Sequence, residues 1–304
     1  MEHSLETLQS CPSCGHDSFK NILSCIDYTY SKDAFYLVEC TSCKLLFTNP
    51  RPDELAIGKY YDSPEYVSHT DTNSGLLFTL YGIVKRYTLK QKRKTLESLS
   101  NEKNILDYGA GSGDFSNELV QNNWTVSAYE PDGNARKKIE EKNSKINLVG
   151  QLPEVGTESK SVITLWHVLE HVHRLNETIK EFHRILKNDG ILVIAVPNHT
   201  SFDASYYQTD WAAYDVPRHL YHFNPATLET LMSANGFLLH EIKPMWFDSY
   251  YVSLLSEKNI SNPGILKTAF GWIRAFLFGS YSNIKTIVAT KNCSSVTYVF
   301  KKAL

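Results

Sequence analysis

The residues best suited to chemistry in this 304-residue chain are an acid and three alternating glycines in the run 107–113, Asp-Tyr-Gly-Ala-Gly-Ser-Gly. The apolar pair Ile105 and Leu106 before Asp107 predicts the end of a buried strand, and a helix is predicted from about Asp114. Glycine permits positive φ and a close approach of backbone to ligand, so a strand, glycine turn and helix start predict a cradle for a nucleotide-type ligand. Alone, such a run is weak evidence, because many tight turns are rich in glycine.

A second acid strengthens that interpretation. The segment 126–129 predicts another strand, and it is followed by Glu130, a little over twenty residues after Asp107. A carboxylate at this place is expected to bind the two ribose hydroxyls of a nucleoside. A nicotinamide-binding Rossmann enzyme is the alternative, but it requires the pattern G-x-G-x-x-G, which residues 109–114 do not fit.

These segments resemble the motifs of the class I S-adenosylmethionine (SAM)-dependent methyltransferases. Residues 107–113 are similar to the first motif of that family, D-x-G-x-G-x-G, and Tyr-Glu-Pro-Asp at 129–132 is similar to the second. Residues 162–172 resemble its fourth-strand signature, which ends in H-V-L-E-H-V, and 186–198 resemble its later L-K-P-G-G-x-L-x-I-x-x-P-N element. The four motifs stand in the order of the family and cover roughly residues 103–240.

The resemblance implies a SAM site and residues that hold it. In the family the glycine loop lies against the methionyl part of SAM, the acid matching Asp107 meets the ammonium group, and the acid matching Glu130 binds the ribose. Many relatives place an acid after the third strand to contact the adenine amine, whereas this chain offers the amide of Gln151. The structural alternatives are a helix cap for Asp107 and a solvated loop acid for Glu130. The candidate cofactor-binding residues are Asp107, Gly109, Ala110, Gly111, Gly113, Glu130, Pro131, Gln151, Trp166 and His167.

Two C-x-x-C pairs near the N-terminus predict a zinc ribbon over residues 1–48. Four thiolates complete a tetrahedral zinc site with no open position, which is structural rather than catalytic chemistry. Disulfides are the alternative, but they need an oxidising compartment that nothing in the sequence indicates, and an inert set of thiols is the other. The predicted ligands are Cys11, Cys14, Cys40 and Cys43.

The order of the segments also resembles a recurrent bacterial arrangement in which a short zinc ribbon precedes a SAM methyltransferase domain, often beside genes for surface polysaccharide or specialised metabolites. The sequence predicts a linker with N-terminal helices over 49–102 and a methyltransferase domain over 103–304. Strands and helices alternate through this domain, which predicts an α/β fold with a Rossmann-like, seven-stranded, mostly parallel sheet and helices on both faces.

Two insertions near 198–223 and 247–292 interrupt this domain. The first leaves the fifth strand at the carboxyl edge of the sheet, where ligands bind in open α/β sheets, so its aromatic residues are expected to cover the methyl acceptor. It contains a D-x-P-R-H element that similar proteins carry here, and an imidazole can accept a proton near neutral pH. The candidate general bases are His219, then His222 and His167, with packing or capping roles as the alternative.

The second insertion contains an apolar helix over 265–278. It is expected to be buried within the protein, to form a homodimer interface near 265–280, or to lie on a membrane surface as a peripheral contact.

Composition favours an enzyme of the cytoplasm. A net charge of −2 gives no global field for nucleic acid, and 42% hydrophobic residues suffice for a sizeable core. The N-terminus lacks the features of a signal peptide, and no apolar run reaches the roughly 20 residues of a membrane-spanning helix.

Three functions remain open from sequence. The first is SAM-dependent methyl transfer to a small molecule, such as a sugar, nucleotide-sugar or specialised metabolite. The second is an RNA methyltransferase that uses the ribbon and a lysine- and arginine-rich helix over 76–100, although weak overall charge disfavours nucleic acid. The third is a non-catalytic SAM-binding or zinc-ribbon interaction module. Because the methyl group of SAM is already activated, no metal is expected to be needed for transfer.

Overall fold

A computed structural model describes residues 5–62, 76–260 and 265–303. For 76–81 and 265–269 it describes the backbone alone, so the first five side chains of the predicted apolar helix lie outside the described residues. Part of the predicted linker, residues 63–75, lies outside them as well.

The N-terminal segment is built from short strands. They are β1 (Leu5–Glu6), β2 (Phe19–Ile26), β3 (Ala34–Cys40), β4 (Leu46–Thr48) and β5 (Arg51–Pro52), followed by a 3₁₀-helix over Ile57–Tyr61. Strands β2, β3 and β4 pair antiparallel. Phe35 and Leu37 are buried while Tyr36 between them is exposed, as the two-residue period of a half-buried strand requires.

Helices and strands alternate through the rest of the chain. The first group is α1 (Leu76–Leu99), β6 (Asn104–Tyr108), α2 (Asp114–Gln121), β7 (Thr125–Tyr129), α3 (Gly133–Lys142) and β8 (Asn147–Val149). The second group is β9 (Lys160–Trp166), α4 (Leu175–Ile185), β10 (Leu186–Pro197), α5 (Phe202–Tyr207), β11 (Tyr221–His222) and α6 (Pro225–Ala234). The last group is β12 (Phe237–Pro244), α7 (Asp248–Ile260), α8 (Ile265–Val288) and β13 (Ser295–Lys302).

A seven-stranded sheet with the order β12-β13-β10-β9-β6-β7-β8 forms the centre of the fold. The five strands from β10 to β8 in that order run parallel, and β13 is antiparallel to both of its neighbours. This confirms the predicted Rossmann-like, mostly parallel sheet.

The sheet separates two apolar cores because successive side chains of a strand point to opposite faces. Leu106 and Ile163 belong to one core, and their neighbours Ile105 and Val162 belong to the other. Both faces are therefore buried, which explains the near-continuous apolar runs of these strands.

The N-terminal segment and the first insertion share a sheet. Strand β11 pairs antiparallel with β4, which gives the order β11-β4-β3-β2. Trp211 and Tyr214 of the insertion pack in a third core with Leu37 and Leu46 of the N-terminal strands. The aromatic residues expected to cover the acceptor therefore serve in part as the joint between the two segments.

Helices α7 and α8 form the second insertion and pack together. Arg274 of α8 forms an ion pair with buried Glu257 of α7, at 2.5 Å. Among the described side chains of α8, several large apolar ones are exposed, including Phe270, Ile273 and Phe276. No helix within the described residues is long and apolar enough to cross a bilayer.

Candidate functional site

The glycine loop follows β6 at the point where the strand order reverses, since β6 pairs with β7 on one side and β9 on the other. Ligands of open α/β sheets bind in the crevice at this point. Gly109, Gly111 and Gly113 have φ of 76°, 55° and 72°. A Cβ at Gly109 would lie 2.5 Å from Val168 and one at Gly113 would lie 2.8 Å from Ile139, whereas one at Gly111 would meet nothing within 4 Å. The outer glycines thus serve packing, and Gly111 faces open space where a ligand can approach.

Asp107 is buried beneath this loop. Its carboxylate accepts hydrogen bonds from Ser116 Oγ at 2.7 Å and Thr164 Oγ1 at 2.9 Å. Burial raises the pKa of Asp107, and the two hydroxyls oppose that rise. The group is therefore a fixed acceptor at the end of β6 rather than a helix cap.

Glu130 holds the other side of the loop. Its Oε2 accepts the N–H of Gly111 at 2.7 Å, and its Oε1 accepts the N–H of Asp132 at 3.0 Å. Burial raises the pKa of Glu130 while these two N–H groups lower it. The backbone N–H of Ala110 donates to the carbonyl of Tyr129 at 3.0 Å, which ties the loop to the end of β7.

Pro131 and Gln151 lie exposed beyond the ends of β7 and β8. Arg136 joins these two strand ends, because its Nη1 donates to the carbonyls of Glu130 at 3.2 Å and Val149 at 3.0 Å. The structure thus brings the candidates from 107 to 151 to one edge of the sheet.

Trp166 ends β9 at the same edge. The ammonium of Lys92, from α1, lies 4.1 Å from the centroid of its ring, and Phe115 packs on it edge to face. Burial lowers the pKa of Lys92 to about 8, against the opposing charges of Asp248 and Asp107. Helix α1 therefore reaches over the crevice and places a cation there.

His167 lies between two carboxylates. Its Nε2 is 3.0 Å from Asp248 Oδ2 and its Nδ1 is 3.5 Å from Glu170 Oε1. Burial lowers the pKa of His167, but the two carboxylates outweigh it and raise the pKa to about 9. At neutral pH this imidazole is a cation, which suits holding the second insertion through Asp248 better than accepting a proton. Its φ of 57° places it in a region that few non-glycine residues adopt.

His219 has a ring nitrogen free to accept a proton. Its Nδ1 lies 2.8 Å from the carbonyl of Ala213, which can only accept, so Nδ1 carries the proton and Nε2 a lone pair. Asp215 does not orient this ring closely: its Oδ2 is 4.0 Å from Nε2, and its carboxylate binds Arg218 at 2.6 Å.

His222 has a structural contact instead. Thr48 Oγ1 donates to the carbonyl of His219 at 2.8 Å, so His222 Nε2, 3.1 Å away, donates to Thr48. Burial lowers the pKa of His222 well below its usual value. This histidine therefore joins the first insertion to β4.

Glu170 and His171, which sequence reasoning did not select, lie beside His219. The ligand atoms of these three residues are all within 4.8 Å of one another, and the two imidazole rings meet edge to face. Burial and His219 lower the pKa of His171 to about 4, while His167 and the other imidazoles lower that of Glu170 against its burial. Both residues belong to the H-V-L-E-H-V motif, so the available signal was an acid and a histidine directly after a buried strand.

The four cysteines of the N-terminal pairs converge. The Sγ atoms of Cys11 and Cys43 are 3.5 Å apart, those of Cys14 and Cys40 are 3.6 Å apart, and all four lie within 4.8 Å of one another. Four sulfurs bound to one zinc ion at about 2.3 Å lie roughly 3.8 Å apart, whereas a disulfide bond measures about 2.05 Å. Burial raises the pKa of Cys11, and N–H groups lower that of Cys14 to about 7 against its burial. The donor set and spacing fit zinc.

Comparison with known families decides the class of protein. A family model described as "Methyltransferase domain" matches residues 83–242, which is more than half of the chain. The chain belongs to this methyltransferase family. It is a SAM-dependent methyltransferase of class I, and the glycine loop and Glu130 fall within the matched region.

Solved structures share the fold of the methyltransferase. A protein of Galdieria sulphuraria with a provisional assignment as a sarcosine dimethylglycine methyltransferase has a TM-score of 0.50 at 14% identity, over 73% of this chain and 86% of that one. A phosphoethanolamine N-methyltransferase of Haemonchus contortus has a TM-score of 0.51 at 14% identity, over 90% of this chain and 64% of that one. A Haloferax volcanii complex of the activator Trm112 with a methyltransferase gives 0.51 at 13% identity, over 74% and 93%. No curated protein sequence matches the chain.

Proposed function

We propose that this methyltransferase acts on a small-molecule acceptor, such as a sugar, nucleotide-sugar or specialised metabolite. The observation that carries the proposal is that three of the six cations on α1, the helix that an RNA methyltransferase would use, are engaged by other groups of the protein. Lys85 pairs with Asp114 at 2.7 Å, and Arg93 pairs with Glu97 at 2.7 Å and Glu118 at 2.8 Å.

Paired cations are poor phosphate ligands, because binding to nucleic acid needs clustered, unneutralised positive charge. The exposed Arg86, Lys90 and Lys94 supply only part of such a cluster. Lys92, on the same helix, lies against Trp166 inside the crevice. With a net charge of −2, the chain has little to offer a polyanion. A small-molecule acceptor therefore agrees better with the charge distribution of the protein than an RNA acceptor does.

We assign the donor site to the crevice at the reversal of strand order. Asp107 would meet the methionine ammonium of SAM, Gly111 would contact the methionyl part, Glu130 would bind the ribose and Gln151 the adenine. The open space above Gly111 and the buried, fixed carboxylates of Asp107 and Glu130 support this assignment. An intact loop of this kind also disfavours a non-catalytic module.

When bound, SAM supplies a methyl group activated by a sulfonium. The chain must then hold the acceptor in line with that methyl group and exclude water. His219, with its Nε2 lone pair at the covered edge of the sheet, is our candidate to accept a proton from a hydroxyl or carbon acid. The zinc ion that we place in the cysteine site has no open position and takes no part in transfer.

Incubation with methyl-labelled SAM and fractionated cell extract tests the proposal. Label in small polar metabolites is the expected result. Nuclease-sensitive label in large material would establish the RNA function instead. Tight binding of S-adenosylhomocysteine with no label in any fraction would favour the non-catalytic module.

A further inference from the structure

We propose that Glu170, His171 and His219 form a divalent-metal site at the carboxyl edge of the sheet, and that the metal binds an oxygen atom of the methyl acceptor. The binding of an acceptor oxygen rests on the proposed function, whereas the existence of the metal site does not. The site is distinct from the cysteine cluster, and it departs from the expectation that transfer needs no metal.

Each imidazole of the cluster keeps a lone pair on one ring nitrogen. His171 Nδ1 lies 2.9 Å from the carbonyl of Arg218, and His219 Nδ1 lies 2.8 Å from the carbonyl of Ala213. A carbonyl only accepts, so each Nδ1 carries the proton; the Tyr61 hydroxyl, 3.0 Å from His171 Nδ1, shares that nitrogen. Each Nε2 is left as an electron-pair donor. Metal-bound histidines are commonly oriented in this way, by a backbone carbonyl on the other ring nitrogen.

Glu170 supplies a charge without hydrogen bonds. Its side chain is 1% exposed, and within the described part of the chain neither carboxylate oxygen has a hydrogen-bond partner. His167 Nδ1, 3.5 Å from Oε1, neutralises charge without a well-formed hydrogen bond. Because neither oxygen has a well-formed hydrogen bond from the described residues, both keep lone pairs that can bind a metal ion beside the cationic His167.

The donor set indicates the kind of metal. Two imidazoles and one carboxylate favour a divalent transition metal such as Mn²⁺, Fe²⁺ or Zn²⁺ and leave coordination positions open. Neighbouring ligands of such an ion lie about 3 Å apart, so the three groups, now within 4.8 Å, must draw together by up to about 2 Å. Asp215, at the rim, is already bound to Arg218.

Open positions would let the metal bind and acidify an acceptor hydroxyl. This role replaces proton acceptance by His219, because the metal would occupy the lone pair on its Nε2. The proton of that hydroxyl passes to solvent on binding. The oxygen then forms a bond with the methyl carbon as the carbon–sulfur bond breaks, and the bonding pair stays on the sulfur of S-adenosylhomocysteine. The acceptor class is therefore an alcohol with a second oxygen in chelating reach, such as a vicinal diol or a hydroxy acid.

Metal stoichiometry tests the site without depending on activity. The full-length protein is dialysed, its zinc content is measured by elemental analysis, and Mn²⁺ is titrated while free Mn²⁺ is followed by electron paramagnetic resonance. We expect one bound Mn²⁺ per chain beyond the zinc, with nitrogen modulation from two imidazoles. Glu170→Gln and His219→Gln should weaken binding at least tenfold, whereas His199→Gln, which alters a histidine outside the cluster, should not.

A wild-type protein that binds no Mn²⁺, Fe²⁺ or second Zn²⁺ would overturn the proposal, whether or not the variants fold. Bound Mn²⁺ whose electron paramagnetic resonance signal shows no nitrogen modulation would also overturn the proposal. So would equal Mn²⁺ affinity in the wild-type protein and all variants. If the protein binds S-adenosylhomocysteine and transfers methyl groups but takes up no second metal, the metal site is rejected and the proposed function stands. Metal binding without transfer to any small alcohol would leave the site standing and reject its role in binding an acceptor oxygen.

Discussion

At the scale of single residues, glycine has two different roles in the cofactor loop, close packing at one position and open access to the crevice at another. Gly109 has no room for a side chain because Val168 packs on its α-carbon, whereas Gly111 has room but faces the crevice. Both have positive φ, so any side chain adds strain of about 1–2 kcal/mol. The two positions should therefore respond differently to the same substitution.

Gly109→Ala should lower the free energy of unfolding by about 2–5 kcal/mol, from strain plus overpacking against Val168. Gly111→Ala should lower it by only about 1–2 kcal/mol, from strain, yet weaken S-adenosylhomocysteine at least tenfold. Urea unfolding and isothermal titration calorimetry measure the two effects. Equal stability losses, or unchanged affinity in Gly111→Ala, would contradict this division of roles.

How much of the site the sequence could predict depends on how local its residues are. Asp107, the glycines and Glu130 follow adjacent strands, so spacing alone places them at one edge. His219 joins Glu170 and His171 through contacts between distant parts of the chain, since the N–H of Leu220 donates to the carbonyl of Glu170 and His171 Nδ1 donates to the carbonyl of Arg218. Arg218, which pairs locally with Asp215, also binds the buried Asp27, and no local pattern connects these two residues.

At the scale of elements, Asp114 ties three helices together below the loop. It begins α2, and its carboxylate pairs with Lys85 of α1 at 2.7 Å and Lys142 of α3 at 2.6 Å. Burial opposes these pairs, but the two ammonium groups prevail and lower the pKa of Asp114 to about 2.

Because the folded pKa is lower than the ordinary 3.8, the contribution of Asp114 to stability is present above about pH 4 and is lost as the pH falls toward 2. Asp114→Asn should cost about 1 kcal/mol at pH 7 after solvent screening, and roughly half of that at pH 3. Urea unfolding of both proteins at the two pH values measures the difference. A difference that grows on acidification would contradict the assignment.

At the scale of the whole molecule, a buried ion cluster joins the N-terminal strands to the first insertion. Arg218 is 1% exposed and binds Asp27, 3.0 Å away after β2, as well as Asp215. Asp27 also accepts the N–H groups of Thr29 and Ser31. Removing the cation would leave a buried carboxylate uncompensated.

Arg218→Met should therefore destabilise the protein by about 3–5 kcal/mol. The control is Arg174→Met, which removes an exposed arginine paired with Glu54 and should cost less than about 1 kcal/mol. Thermal and urea unfolding measure both. Similar losses in the two variants would mean that the buried cluster does not join the segments.

Zinc should support the insertion through the same shared sheet. Removing zinc, or replacing Cys14 by Ser, should lower the melting temperature by more than about 5 °C and reduce methyl transfer, because β11 loses its partner strand. Affinity for S-adenosylhomocysteine should hold, since Glu130 and the glycine loop lie on the central sheet. Lost cofactor affinity with an unchanged melting temperature would contradict a structural role for the metal.

The most direct test of the account is calorimetric titration of S-adenosylhomocysteine into the wild-type protein, Glu130→Gln and the surface control Glu181→Gln. We predict one site per chain, an affinity lowered about 10- to 100-fold in Glu130→Gln through loss of a charged hydrogen-bond acceptor, and no change in the control. No binding to the wild-type protein, or equal affinity in all three, would contradict the placement of the cofactor at the reversal of strand order.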